Sequence, residues 1–435
     1  MPTRTHRTAL IASVAGTLLA CTTAHGGGPV IDIPPGSLPA ESWFAANPGA
    51  TINVFGGENI FPDSGGGSFG FNGATVNIET TASSGFLTID QFLEDVTCNV
   101  NGGEIIRTKF TGTVGMTTLN INSGSAERGL WMQGNSNGTM TDGLIGVTGS
   151  GQAPLIVEDT ASFVMDGGTI DSFILVIDSG VFTLNGGMIE GGVQIEDAAT
   201  VNVTGGTTGS NGVMRDPEGT LNVTGGTVGS AFVVEQGTIN MSSGIMNENC
   251  AMLNSGFGVV DPAMTMTGGA LGSDFRAYDG TLNISGGIIG DRIRIGRPTG
   301  TGEGATINLI VKSAMLGGVP IDDLSTTPMV VTERAGLLLT GVLDDDTVFS
   351  IDLNESFVPG EDRVRAAAVL TLALGEEECA ADLAAPFGVL NFFDVTAFIG
   401  LYTSMDPGAD LAAPFGVFNF FDVAAYIASY SSGCP

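Results

Sequence analysis

Apolar and polar residues alternate in short runs along most of the chain, and each run ends in small residues. In residues 221–226 the first and third side chains are apolar, the second and fourth are polar, and two glycines follow. Alternation with a period of two is typical of a β-strand with one buried face, and glycine accommodates a turn with positive φ. The pattern returns every ~18 to 25 residues, as in a repeat protein. Copies begin at Ile52, Val76, Cys98, Leu119, Phe163, Phe182, Val201, Leu221, Ile239, Met264, Leu282 and Ile307.

The third position of the repeat is apolar in every copy, which indicates a side chain that points into a core. Its occupants are Val54, Ile78, Val100, Ile121, Met165, Leu184, Val203, Val223, Met241, Met266, Ile284 and Leu309. The second position is mostly asparagine, which predicts outward ladders of stacked amides on strands ~4.8 Å apart. Cys98 holds an inward position, so we expect a buried free thiol there.

One such coil cannot bury its own apolar face, whereas a stack of coils forms a continuous core. We therefore predict a mainly β fold, a parallel β-helix solenoid over residues 51–313. A stack of ~13 coils would be ~60 Å long. The coil length varies, which argues against the strict left-handed helix of hexapeptide repeats and favours a right-handed solenoid.

The segments that flank the repeat have different patterns. Residues 1–25 resemble a secretory signal peptide, with Arg4 and Arg7 ahead of a short apolar run. Residues 18–21 also resemble a lipobox, which would lipidate Cys21. Residues 26–50 are predicted to cap the first coil, and residues 314–374 to form antiparallel strands, as a β cap or a small β domain. We expect a secreted or cell-surface protein with no transmembrane segment once the signal is removed.

Charge and composition exclude several functions. The formal net charge is −32, and Lys109 and Lys312 are the only lysines. Such a chain would be repelled by the phosphates of nucleic acid. The only histidines, His6 and His25, lie at the N-terminus, so the repeats have no histidine for a catalytic triad or a metal site.

The C-terminal tail contains a different, duplicated motif. Residues 382–395 return almost unchanged as residues 410–423, and a short helical pattern follows each copy. Cys379 and Cys434 bracket the pair, and the chain ends in Gly433-Cys434-Pro435. Two tandem loop-helix units with an aspartate at each end of the loop resemble a dockerin. They are most similar to the Gly-Cys-ending dockerin-type anchoring domain of exported proteins from planctomycete-like bacteria.

The resemblance covers residues 379–435 and implies a small α-helical domain with a disulfide between Cys379 and Cys434. It implies a cohesin-like or other cell-surface protein as partner, bound through the aromatic pairs Phe392-Phe393 and Phe420-Phe421. Because adjacent helical residues do not share one face, we expect one residue of each pair to be exposed. Core filling by all four rings is the alternative.

A dockerin-like loop also implies a calcium site. The matching oxygen-bearing side chains are Asp382, Asn391 and Asp394 in the first unit and Asp410, Asn419 and Asp422 in the second. The middle ligand positions hold Ala384, Pro386, Ala412 and Pro414, so these loops offer about half of the six to eight oxygens that Ca²⁺ prefers. The alternative is a loop without metal, in which the asparagine is a turn residue and the aspartate belongs to a helix cap.

These patterns favour a non-enzymatic structural or surface-display rod that is attached through its C-terminal module. The alternative is a β-helix that binds or cleaves carbohydrate, as a polysaccharide lyase or hydrolase, anchored by the same module. Its candidate site is the one dense charged group on the coils, Asp291, Arg292, Arg294 and Arg297, which a solvated loop explains equally well.

Overall fold

The computed structural model describes residues 28–33, 39–55, 68–79, 92–111, 116–146, 154–254, 260–297, 304–334, 336–354, 362–365, 367–375, 381–385 and 389–433. The predicted signal peptide, Cys21, and the predicted disulfide partners Cys379 and Cys434 lie outside these residues. The described part of the chain is mainly β, with 49% strand and 11% helix, and forms a β-solenoid of about ten turns. The prediction of a parallel solenoid built from these repeats is confirmed.

Three ladders of parallel strands run along the solenoid, and each turn crosses them in the same order. Ladder 1 contains the repeat described above. Its strands are Val30–Ile33, Thr51–Phe55, Ser68–Glu79, Phe92–Thr111, Thr118–Gln133, Asn137–Met140, Ser162–Met165, Val181–Leu184, Thr200–Val203, Thr220–Val228, Thr238–Met246, Ala263–Leu271, Thr281–Ile288, Thr306–Leu316 and Val369–Leu374.

Ladders 2 and 3 consist of much shorter strands, together with the later parts of several long ones. Ladder 2 includes Leu144–Gly146, Thr169–Ile170, Met188–Ile189 and Thr207–Thr208. Ladder 3 includes Leu155–Val157, Ile174–Val176, Val193–Ile195, Val213–Met214, Val233–Val234, Ala251–Met252, Arg276–Ala277, Arg294–Ile295 and Arg363–Val364.

The repeat positions keep the orientation that the alternation predicts. In ladder 1, Val203 pairs with Val223, which pairs with Met241, and all three side chains are buried. Every third-position residue named above is at most 1% exposed. Met140 occupies the same place between the turns of Ile121 and Met165, in a copy of the repeat that is barely visible in the sequence.

The predicted asparagine ladder is present as a chain of side-chain hydrogen bonds. The amide of Asn77 donates to Asn53 (2.7 Å), Asn99 donates to Asn77 (2.8 Å), and Asn120 donates to Asn99 (2.8 Å). Further along, Asn240 donates to Asn222, which donates to Asn202. Each amide therefore uses one N–H and one oxygen lone pair within the ladder, which holds its side chain in one orientation.

Cys98 lies at its predicted inward position as a buried free thiol, and Cys250 is a second one. Burial among apolar side chains raises the pKa of Cys98 to about 12 and that of Cys250 to about 11. Because the thiolate is the reactive form, both groups act as small apolar side chains of the core.

The segment after the repeats, residues 314–374, differs in part from the antiparallel strands that we expected. Strands Leu338–Leu343 and Val348–Asp352 do form an antiparallel hairpin whose turn contains Asp346. Val369–Leu374, however, pairs in parallel with residues 306–311 and antiparallel with Met329–Val330. The chain thus leaves the solenoid and returns to add a further rung, because Leu370 and Leu372 continue its buried apolar column. Val319–Pro320 closes a smaller antiparallel pairing.

Three α-helices complete the described structure: α1 (Glu41–Ala46), α2 (Phe392–Ser404) and α3 (Phe420–Ser432). Helix α1 packs against the strand Ser68–Glu79, and its Phe44 is fully buried against Phe71. A short 3₁₀ turn, Pro407–Ala409, lies between α2 and α3. None of the helices in the described ranges is long and apolar enough to cross a membrane.

A single charge in the inward column should destabilise the whole solenoid. We expect Val223→Asp to lower the free energy of unfolding by several kcal/mol, because a carboxylate would replace a fully buried side chain. Asn222→Ala on the same strand should cost about 1 kcal/mol, since it removes two half-exposed amide contacts. Denaturant unfolding of both variants measures the difference, and equal losses would contradict the assigned orientation.

Candidate functional site

The two C-terminal helices form a small module with its own core. Phe398 of α2 stacks on Tyr426 of α3, with ring centroids 4.0 Å apart and planes 8° apart. These residues occupy the same position in the two copies of the duplicated motif. Leu390 and Phe418, a second equivalent pair, pack beside them. The module is therefore built by like positions of the two copies contacting one another.

Each helix begins with the same capping arrangement. The side-chain oxygen of Asn391 accepts the backbone N–H of Phe393 (2.8 Å), and Asn419 accepts that of Phe421 (2.7 Å). In return, a carboxylate oxygen of Asp394 accepts the N–H of Asn391 (2.8 Å). Asp422 forms the matching bond to Asn419. At each helix the two reciprocal hydrogen bonds form a capping box, which satisfies N–H groups that the first helical turn leaves free.

The two aspartates also fasten the preceding loops to the helices. The second oxygen of Asp394 accepts the N–H groups of Leu383 (2.9 Å) and Ala384 (2.8 Å), eleven and ten residues upstream. Asp422 accepts the N–H of Ala412 in the same way (2.9 Å). Both aspartates are completely buried. Their carboxylates are thus used inside the module, with backbone N–H groups in place of a counter-ion.

These hydrogen bonds set the ionisation of the two aspartates. At Asp394, burial raises the pKa, but backbone N–H groups from Asn391, Ala384 and Leu383 outweigh it and hold the pKa below its usual range. At Asp422, the N–H of Asn419 is the largest effect and also lowers the pKa, against a smaller opposing effect of burial. Both side chains are therefore ionised at neutral pH.

Five of the six residues predicted as calcium ligands accept backbone N–H groups within the module. The bonds of Asn391, Asp394, Asn419 and Asp422 are those of the two helix caps. Asp410 accepts the N–H of Gly416 through one oxygen, and its other oxygen is buried without a hydrogen-bond partner among the described residues. Those residues contain no group of three histidine, cysteine, aspartate or glutamate side chains placed to hold a metal ion. The asparagines and closing aspartates thus act as helix caps, as in the alternative without metal, and calcium binding by these loops stays a prediction.

The aromatic pairs lie on the surface of the module. Phe392 and Phe420 are each 75% exposed, and Phe393 and Phe421 are 63% and 62% exposed. We expected one ring of each pair to be exposed, and both are. The reason is that these residues are the first two of their helices, whose inward face begins at Asp394 and Asp422.

An apolar groove of 280 Å³ runs between α2 and α3. It is lined by Val395, Phe398, Ile399, Tyr402, Val423, Tyr426, Ile427 and Tyr430. Ile399 and Ile427 are both more than half exposed at its edge. Sequence reasoning missed this groove, although Ile399 follows Phe392 by seven residues, the spacing that places two side chains on one helical face.

A second candidate site lies on ladder 3, where arginines stack on successive turns. Arg276 pairs in register with Arg294, and Arg294 with Arg363. Arg294 and Arg292 both contact Asp274, at 2.5 and 2.9 Å. Sequence reasoning found Arg292 and Arg294 but missed Asp274 and Arg363, since these come from other turns.

Burial and like charges shape this stack. Arg363 is only 6% exposed, and its Nε makes no hydrogen bond within the described chain. Burial first, and then the neighbouring charges of Arg365 and Arg294, lower the pKa of Arg363. The carboxylate of Asp279 is occupied by Arg297, at 2.7 Å. The aspartates of this region thus act as partners of arginine, which is the arrangement of an ion-pair network rather than of two free catalytic acids.

Loss of a cap should weaken one helix of the module. We expect Asn391→Ala to lower the stability of α2 by about 1 kcal/mol, because one N–H of the first turn loses its acceptor. Asn391→Asp should retain most of the stability, since it keeps the acceptor oxygen. Hydrogen exchange of residues 392–404 measures both, and equal protection in Asn391→Ala and the unmodified chain would refute the assigned cap.

The module should also lose stability in acid. A group whose pKa is lowered by folding stabilises the fold above its ordinary pKa, and this contribution disappears as the pH falls through the folded value. For Asp394 and Asp422 the loss should therefore develop below about pH 4. Protection factors of α2 and α3 should fall there. In a variant with both Asp394→Asn and Asp422→Asn, the protection factors should depend less on pH. An unchanged pH dependence would contradict the stabilising role of the two carboxylates.

Comparison with other proteins identifies no family for this chain. The chain matches no protein-family model, no curated protein sequence and no solved structure.

Proposed function

We propose that this protein is an exported, non-enzymatic rod that is attached or assembled through its C-terminal helical module. The solenoid provides the rod, and the module provides the docking surface. The observation that carries the proposal is that both copies of the motif expose the same apolar positions.

The equivalence holds position by position. Phe392 matches Phe420 at 75% exposure, and Ile399 matches Ile427 at 55% and 56%. At the packed position, Phe398 and Tyr426 are 4% and 3% exposed. Packing explains why the buried positions are retained in both copies. It does not explain large exposed aromatic and aliphatic groups at the same surface positions, which are typical of binding surfaces.

The composition of the module indicates how its partner is recognised. Residues 379–435 contain no lysine, arginine or histidine, and Asp394 and Asp422 are used internally. The groove and the phenylalanines between and beside the helices therefore offer apolar contact rather than ion pairs. A partner would present apolar side chains, as a cohesin-like or other cell-surface protein can, and its affinity would depend little on salt.

The proposal includes the finer description of the fold. We take residues 379–435 as a dockerin-like domain in which capping boxes replace the calcium cages. We take the solenoid as right-handed because parallel strands joined across one sheet almost always connect in that sense. The returning hairpin segment and the rung Val369–Leu374 then close its C-terminal end, where uncovered strand would otherwise invite aggregation.

The experiment is a fractionation of the native host after expression of three chains. One is the unmodified chain, one ends at residue 378, and one carries serine at Phe392, Phe393, Phe420 and Phe421. We expect the surface-bound fraction of the unmodified chain to be lost in the other two. Serine at Phe392 and Phe393 alone should leave much of the attachment, because the second copy remains.

The matched control is serine at Val319 and Val348, two exposed aliphatic positions of the solenoid's C-terminal segment. This control should attach normally. Equal attachment of the unmodified chain and the chain that ends at residue 378 would rule out anchoring by the module.

A further inference from the structure

The outward side of ladder 1 carries two uncharged columns in a strongly acidic protein. The first column contains mostly threonine and the second mostly asparagine. In order from the turn of Thr51 to that of Thr306, the first column is Thr51, Thr75, Thr97, Thr118, Asn137, Ser162, Val181, Thr200, Thr220, Thr238, Ala263, Thr281 and Thr306. The second column, two residues further along each strand, is Asn53, Asn77, Asn99, Asn120, Thr139, Val164, Thr183, Asn202, Asn222, Asn240, Thr265, Asn283 and Asn308.

Ladder 2 continues this uncharged area. Glu104 precedes Ser125 in the outward column of ladder 2, and the column is uncharged from Ser125 onward. Its members there are Ser125, Leu144, Thr169, Met188, Thr207, Thr227, Ile245, Ala270 and Ile288. Four of these are exposed aliphatic side chains, with Ile288 at 61% and Met188 at 45%. We call these three columns together the neutral surface. Carboxylates stacked in such columns would repel one another, and the uncharged residues there leave a neutral area on a chain of net charge −32.

We propose that the neutral surface is a lateral contact between two copies of this rod. Two chains of net charge −32 repel each other, and contact through the acidic turns of the solenoid would bury carboxylates against carboxylates. On another part of the turn, for example, Asp159, Asp178 and Asp197 recur on successive turns and are exposed. The neutral surface is the part of ladders 1 and 2 where two copies can meet without that cost.

A second copy also matches the spacing of the surface. The columns repeat every ~4.8 Å along the solenoid, the distance between strands. An identical rod has the same repeat, so a contact that forms at one turn forms again at every turn in the interface. Weak contacts that recur in register add up, as they do where identical strands stack and their outward side chains interdigitate.

The side chains of the neutral surface are ordered before any contact forms. The amides of Asn77, Asn99 and Asn120 are held by the hydrogen bonds of the ladder. Threonine is branched at Cβ and therefore has few rotamers to lose. Burying such side chains costs less conformational entropy than burying lysine or glutamate, which favours association.

The area is that of a stable interface. A contact over about ten successive strands of ladder 1 would be ~50 Å long, and the two columns with their flanks span ~13 Å. Two copies would bury about 1,300 Å² through ladder 1 alone, within the range of specific interfaces, and the aliphatic groups of ladder 2 would add to it. The pairing involves the solenoid only, so it does not depend on the proposed role of the C-terminal module.

The test is sedimentation velocity of the full chain over a range of concentrations and of salt from about 50 mM to about 500 mM. We expect a reversible shift from the 44.2 kDa monomer to a dimer. The dimer should become tighter as salt rises, because salt screens the repulsion between the remaining charges. A chain that stays monomeric at every concentration and salt level overturns the proposal.

Two glutamate variants, a test and a matched control, locate the contact. Thr200→Glu, Thr220→Glu and Thr238→Glu together place three carboxylates on the neutral surface and should weaken dimerisation at least about tenfold. The control places the same three charges on ladder 3 of the same turns, as Gln194→Glu, Val213→Glu and Val233→Glu. This control should change dimerisation by less than about twofold. Equal weakening in both variants overturns the proposal.

Two further results would assign the association elsewhere. Ile399→Glu with Ile427→Glu changes the groove of the C-terminal module, and loss of the dimer in this variant alone would place the contact there. Electrophoresis through a gel that contains hydroxyethyl cellulose tests a neutral polysaccharide as the occupant. Retardation by this polymer without any self-association would overturn the pairing of rods. The salt series uses the unmodified chain, so its result holds even if a glutamate variant does not fold.

Discussion

The structure depends on the in-register stacking of apolar side chains between successive turns. A single turn buries nothing by itself, so Val203 is covered only because Val223 lies on the next turn at the same position. The spacing between turns is set by backbone hydrogen bonds, and it leaves no room at the corner between ladders 1 and 2. A Cβ atom at Gly225 would lie 2.2 Å from the carbonyl oxygen of Thr204 on the preceding turn. Small residues at this corner are therefore a condition of the stacking.

The same constraint decides where charge can be placed. A residue on a ladder has an identical neighbour position about 4.8 Å away on either side, so carboxylates stacked there repel one another. Uncharged amides at these positions attract instead, because each one is both a donor and an acceptor. Charges do stack at Arg276, Arg294 and Arg363, and there Asp274 forms an ion pair with Arg294. The pKa of the buried Arg363 is lowered.

The C-terminal module has no stacked turns and is stabilised in part by two carboxylates. Its two helices are too short to be stable alone, and their core contains few residues. Asp394 and Asp422 compensate by collecting backbone N–H groups from a loop and from the start of a helix at once. In this way the side chains that resemble a metal-binding loop fasten the loop to the helix through backbone hydrogen bonds. Their burial leaves the phenylalanines that precede them on the surface, which is the basis of the proposed docking role.

Local sequence determined the parts of this protein in which the information is local. The alternation in ladder 1 predicted its strands, its inward residues and the asparagine ladder, because a strand with one buried face repeats every two residues. The short strands of ladders 2 and 3, such as Thr207–Thr208, show no alternation and are defined only by pairing with other turns. The return of Val369–Leu374 to residues 306–311 was hidden for the same reason, since more than fifty residues separate the partners. In the tail, the sequence identified Asn391 and Asp394 as loop or cap residues. Only the packing of α2 against α3 decided that both phenylalanines of each pair face outward, because the exposed side of a helix depends on what covers the other.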